Sequence, residues 1–220
     1  MLAIINADLI NSTGLDEVLF QSLSKRLKSE FDAFKIQYPS EKIVFMQYRG
    51  DSFQGVVENP LLGLGIALKL KALVKSFAHS VESSKNKLPI ADVRISIGIG
   101  AATYKKNDLA SSNGEAFQLS GRVLDTMKAD GKTMALTTPI AEVNEVYEVF
   151  FAFLDTILAR WSIASAETVY YLLNNLKEQE IASKLDRSQA AINHRKKAAG
   201  WDEIKMLLDY YPKTVKNNFL

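Results

Sequence analysis

The stretch FMQYRGDSFQGV, Phe45 to Val56, decides how the N-terminal part of this chain is read. Apolar residues alternate with others on both sides of Gly50-Asp51, and Gly-Asp between two strand-like runs is a strong hairpin signal. Two strands are therefore expected, KIVFMQY and SFQGVVE, joined at that turn. Asp51 then has two readings: a residue that shapes the turn, or a carboxylate held at a strand end for a metal ion.

Before the hairpin, LAIINADLI (Leu2 to Ile10) reads as a buried strand ending in polar residues. STGLDEV carries turn and cap chemistry. Leu19, Leu23, Leu27 and Phe31 then recur at helical spacing within Leu15 to Phe34. After the hairpin, Pro60 suits the first turn of a second helix bearing Leu64, Ile66, Leu68 and Leu70, which the polar SSKNKLP closes. DVRISIGIG (Asp92 to Gly100) alternates like a strand. TYKKNDLASSNG reads as a polar loop, EAFQLSGRVLDTMK (Glu115 to Lys128) as an amphipathic helix, and GKTMALT (Gly131 to Thr137) as a short strand.

The predicted order is β-α-β-β-α-β-α-β. Its first six elements have the ferredoxin-like order, an antiparallel sheet with helices on one face, so the class is α+β. In that arrangement the hairpin turn shares a sheet end with the exit of the first strand, and Asp8 faces Asp51. After Pro139 the pattern becomes helical throughout. A long helix carries Val143, Val146, Phe150 and Leu154 on one face, and four shorter segments follow. We expect a sheet domain over 1–138, a connector helix over 139–160 and an all-helical unit over 161–220.

Bulk properties narrow the classes. The chain has 220 residues, 47% apolar and 24% charged, with a net charge of +2 and no cysteine. Disulfides and cysteine-ligated zinc are excluded. The apolar start breaks at Asn6 and Asp8 without a basic flank, unlike a signal peptide, and no apolar run approaches the ~18 residues of a membrane span. A cytoplasmic protein is expected. His79 and His194 are the only histidines and fall in different predicted units, which argues against a histidine metal site or a catalytic triad.

The C-terminal stretch KEQEIASKLDRSQAAINHRKK (Lys177 to Lys197) has helix-turn-helix spacing. Ala182 is the small residue between the two helices, Asp186 falls in the turn, Ser188 is a natural N-cap, and Ile192 anchors the second helix beside Ile181 and Leu185. A helix of this kind enters the major groove by its N-terminal part. Arg187, Ser188, Gln189, Asn193 and His194 are the candidates for base edges and phosphates, and Arg195, Lys196 and Lys197 form a basic cluster for phosphates. The plainer reading is a three-helix packing module with a solvated basic face. A turn residue in this motif commonly has positive φ, which Asp adopts less readily than Gly.

Family resemblances add to this. ADLINST (Ala7 to Thr13), GDSF (Gly50 to Phe53), ISIGIG, GEAFQLSGRV (Gly114 to Val123) and GKTMALTTP occur in the order of the signature segments of class III nucleotidyl cyclases, the adenylate and guanylate cyclases. The resemblance implies that Asp8 and Asp51, with the Leu9 carbonyl, ligate Mg²⁺ or Mn²⁺, and that Arg122 meets a nucleoside triphosphate across a homodimer interface. Gln118 stands where that family carries its transition-state asparagine. Gln47 and Ser111 stand at its two base-reading positions. The region from Gln179 to Trp201 is similar to sigma-factor region 4, and the whole chain resembles the SatD-like bacterial proteins. These resemblances imply a DNA-binding transcriptional regulator whose degenerate cyclase-like domain dimerises and senses a nucleotide. The alternative they imply is an active metal-dependent cyclase, and a scaffold with neither activity is the blander third reading.

Overall fold

A computed structural model of the chain describes residues 1–48, 50–78, 88–105 and 108–220. Arg49, His79 and most of the SSKNKLP segment lie outside them. The elements run β1 (Leu2–Ile10), α1 (Glu17–Gln37), β2 (Ile43–Gln47), β3 (Ser52–Val57), α2 (Gly63–Lys75), β4 (Asp92–Gly100), β5 (Ala102–Lys105), β6 (Asp108–Gly114), α3 (Glu115–Met127), β7 (Met134–Thr137), α4 (Ala141–Ala159), α5 (Ile163–Leu173), α6 (Glu178–Leu185), α7 (Gln189–Ala198) and α8 (Trp201–Phe219).

The five-stranded sheet has the order β2-β3-β1-β4-β7. β1 pairs antiparallel with both β3 and β4, and β7 joins β4 in parallel. The first four strands thus follow the ferredoxin-like order expected from the sequence. Because successive strand side chains point to opposite faces, β1 divides the molecule. Ala3, Ile5, Ala7 and Leu9 enter the main core with Leu23, Leu27 and Phe34 of α1 and with α2. Ile4 joins a smaller core on the other face with Phe117 of α3 and Leu109. Each buried leucine or phenylalanine here contributes about 1.5–3 kcal/mol relative to an exposed one.

Asp16 caps α1 by accepting a hydrogen bond from the Leu19 amide at 2.8 Å. Pro60 opens a 3-10 turn (Pro60–Leu62) capped by Asn59, and α2 begins only at Gly63. TYKKNDLASSNG, expected as a loop, instead supplies the antiparallel hairpin β5-β6, with Thr103 opposite Asn113. Its polar composition hid it: Leu109 of β6 is buried, and most of the other described side chains of the hairpin face solvent. At the open end of the hairpin, where β6 leads into α3, Gly114 takes φ +141° and a Cβ would lie 2.5 Å from the Ala102 Cα, so a side chain is excluded.

The helices after β7 do not stand apart. Tyr147, Leu154, Trp161, Val169, Ile204 and Tyr211 belong to the same apolar core as the helical side of the sheet, so one core runs through the expected boundary at 138. Tyr211 donates a hydrogen bond to the Pro60 carbonyl at 2.7 Å, and the Trp161 indole donates to Ala199 at 2.8 Å. Lys69 of α2 pairs with Glu30 of α1 at 2.7 Å, and Glu30 accepts from the Tyr170 hydroxyl of α5 at 2.5 Å. These buried polar contacts tie α5 and α8 to the first half of the chain. The last helix runs through Pro212 to Phe219. No helix among the described residues is long and apolar enough to cross a membrane.

Candidate functional site

Asp8 and Asp51 meet at one end of the sheet. Asp8 faces Ser52 across the β1-β3 pairing and Arg94 across the β1-β4 pairing. Asp51 ends the hairpin turn, in which Gly50 takes φ +78°, and its carbonyl accepts the Leu9 amide at 3.0 Å. Its carboxylate accepts the Ser12 hydroxyl. The turn function of Asp51 and its place beside Asp8 therefore coexist.

The charges are arranged unequally. Arg94 Nη1 lies 2.6 Å from Asp8 Oδ2, while Asp8 Oδ1 is buried with no hydrogen-bond partner. Burial pushes the Asp8 carboxyl above the ordinary carboxylate range. Arg94 pulls it back, and the nearby Asp51 charge pushes it up again, leaving a net rise. An orphaned buried carboxylate oxygen suits a hard cation. Asp8 and Asp51 are thus the residues that fit Mg²⁺ or Mn²⁺, with the Leu9 backbone beside them. Such an ion would supply charge to neutralise phosphate oxygens. Among the described residues no three or more acidic, histidine or cysteine side chains cluster into a fuller metal site.

Arg94 and Ser12 were not singled out in the sequence. The polar position of Arg94 in an alternating strand was visible, but its partner became identifiable only through the strand register. A further polar chain crosses the same face. The Tyr48 hydroxyl donates to Gln54 at 2.9 Å, Gln54 donates to Asn6 at 2.7 Å, and Asn6 donates to Ser120 of α3 at 3.0 Å. This chain fixes α3 against β1.

The remaining cyclase-type residues are carried by other elements. α3 turns Ala116, Phe117 and Ser120 inward, so Gln118 and Arg122 point to solvent. Gln47 pairs across the sheet with buried Phe53 and accepts from Ser24 of α1 at 2.8 Å, which places it on the helical face. Ser111 is exposed in β6, where its amide donates to Asp108 at 3.2 Å. Among the described residues, none of these four bonds Asp8 or Asp51, whose side-chain partners are Arg94 and Ser12.

The C-terminal residues form a second locus. Asp186, at φ +50°, makes the turn between α6 and α7, despite the greater ease with which Gly adopts that conformation. Ser188 caps α7 by accepting the Ala191 amide at 3.2 Å. Ile181, Ala182 and Ile192 are buried between the helices. Arg187, Ser188, Gln189, His194 and Lys197 are exposed. Three candidates are engaged within the chain: Asn193 donates to Glu178 at 3.3 Å, Lys196 pairs with Glu178 at 3.1 Å, and Arg195 lies 3.7 Å from Glu167.

No family model and no curated protein matches the chain. Among solved structures, it is similar to a bacterial light-regulated adenylyl cyclase at 13% identity, over 62% of this chain and 74% of that chain, with a TM-score of 0.42. So distant a likeness assigns no activity.

Proposed function

We propose that the chain is a DNA-binding regulator that docks the start of α7 into a duplex groove. The observation carrying this reading is the α6-α7 pair itself. A left-handed turn at Asp186 and a Ser188 cap leave Arg187, Gln189, His194 and Lys197 exposed together at the start and outer side of the second helix. Arginine suits guanine, glutamine suits adenine, and a flanking lysine suits phosphate. The sheet domain then serves as a sensor whose ligand, a metal ion or a nucleotide, engages Asp8 and Asp51. Fluorescence anisotropy with genomic duplex fragments over a salt series tests the reading. The wild type should bind with a steep salt dependence, and Arg187→Ala with Lys197→Ala should lower the slope by about 1–2. Equal, weak binding by both proteins at every salt concentration overturns it.

A second reading is favoured by the orphaned Asp8 Oδ1: metal-dependent conversion of a nucleoside triphosphate to a cyclic nucleotide. Gln118 and Arg122 are then completed by a second chain. Incubation with ATP, GTP, CTP and UTP plus Mn²⁺ decides this reading, and it fails if no cyclic product forms from any of them.

A further inference from the structure

α4 and α8 lie side by side and antiparallel. Phe150 stacks edge-on against Tyr210 at 5.6 Å, Ile157 lies against Gly200, and Glu142 and Val143 line a pocket with Lys213 and Thr214. An apolar groove of about 410 Å³ opens between the two helices. Phe153 at 69%, Met206 at 72% and Tyr210 at 45% line it and stand exposed, and Val146 at 44% and Val149 at 54%, two turns and one turn before Phe153 on α4, extend the exposed apolar stripe. A contiguous apolar surface with a charged border marks an interaction site more often than scattered apolar residues do.

The border says what covers it. Glu142 and Glu145 flank the apolar stripe on α4, whereas Lys213 and Lys216 flank it on α8, and all four are exposed. Among the described residues none of the four is in an ion pair. Because the helices are antiparallel, the acidic end of α4 and the basic end of α8 lie at the same end of the groove. A two-fold axis running along the groove lays each α4 over the partner's α8 with these ends in register. It brings glutamates onto lysines and the two apolar stripes onto each other. The surface is therefore complementary to itself, as an isologous interface requires.

We propose that a second copy of this chain covers the α4-α8 groove, forming an antiparallel four-helix layer across a two-fold axis. This surface is separate from α7 and from the Asp8 site, and it does not depend on the DNA reading.

Sedimentation equilibrium of the full chain without nucleic acid tests the proposal, with circular dichroism as a fold control for each variant. The wild type should dimerise at micromolar concentration. E142K with E145K, and separately K213E with K216E, should each weaken the dimer about tenfold or more, or 1.4 kcal/mol and above. Mixing the two charge-reversed proteins should restore association, because each reversed α4 then meets a reversed α8. F153D with M206D should give monomer. The proposal is overturned by a wild type that stays monomeric at about 100 μM, which leaves the groove to a different partner. It is equally overturned by a dimer that these folded variants do not weaken, or by mixed charge variants that fail to associate.

Discussion

Arg94 Nη1 sits 2.6 Å from one Asp8 oxygen while the other oxygen of the same carboxylate is buried without a partner. Half of Asp8 is thus neutralised by the protein, and the other half is left for something else. Arg94 is itself nearly buried, with 13% of its side chain exposed, so it depends on Asp8 in turn. Because burial raises the Asp8 carboxyl in spite of Arg94, folding favours its neutral form, so Asp8→Asn should leave stability at neutral pH equal or higher. Urea unfolding of the two proteins checks this, and a clearly lower midpoint for the variant at neutral pH would refute it.

The same pair sets cation affinity. Arg94→Gln removes the competing positive charge, so Mn²⁺ should bind more tightly than to the wild type, by roughly tenfold. Asp8→Asn should abolish the binding. Isothermal titration of both variants reads the effect directly. Unchanged binding in both would mean that Mn²⁺ does not use Asp8.

Lys71 gives a pH dependence of definite sign. It is wholly buried 2.7 Å from Asp92, and burial lowers its ammonium to about 8, with Asp92 opposing the shift. The unfolded lysine titrates near 10.4, so between about pH 8 and 10 the unfolded chain holds more protons here, and stability rises with pH. Above about pH 10 the sign reverses. Burial pushes the Tyr147 hydroxyl up to about 12, and Tyr104, by burial and its bond to Glu58, also reaches about 12. They stay protonated in the folded chain while unfolded tyrosines ionise. Urea midpoints from about pH 7.5 to 11 should pass through a maximum, and Lys71→Met should remove the rising limb.

Gly98 fixes how closely α3 approaches β4. A Cβ there would lie 2.3 Å from the Ala116 carbonyl oxygen and 2.8 Å from the Ser120 amide, both backbone atoms that cannot turn aside. Gly98→Ala should cost about 1–3 kcal/mol as the helix is forced off the sheet. A thermal midpoint within a degree of wild type would contradict so close an approach.

Glu178 holds both Asn193 and Lys196 in place. If α7 reads DNA, Glu178→Ala should free a cation and an amide and remove a negative charge from that surface. Duplex affinity at low salt should rise severalfold, with the salt slope steeper by about 1. Loss of binding in a folded variant would show instead that Glu178 positions these side chains productively.

How much was legible in advance can be argued from particular residues. Gly50-Asp51 announced the hairpin because its turn chemistry is local, and Gly50 does take positive φ. Leu23, Leu27 and Phe31 announced α1 because one helix face must be apolar wherever it lands. The β5-β6 hairpin escaped notice because little of it is buried, which leaves no alternation to read. Asp186 appeared a mild misfit for a turn, yet it adopts φ +50°. Local burial between Ile181 and Ile192 outweighs that cost.

The strands β1 and β4, the β2-β3 hairpin, the helix α1 and the candidacy of Asp8 and Asp51 were determined by the sequence alone, because periodicity and turn residues act over a few neighbours. Only the tertiary structure decided that Arg94 faces Asp8, that Gln47 turns to the helical face, and that the C-terminal helices share one core with the sheet. Each of these depends on which strands and helices become neighbours across the chain. Register and packing set that choice, and they are long-range consequences of burying the whole apolar surface at once.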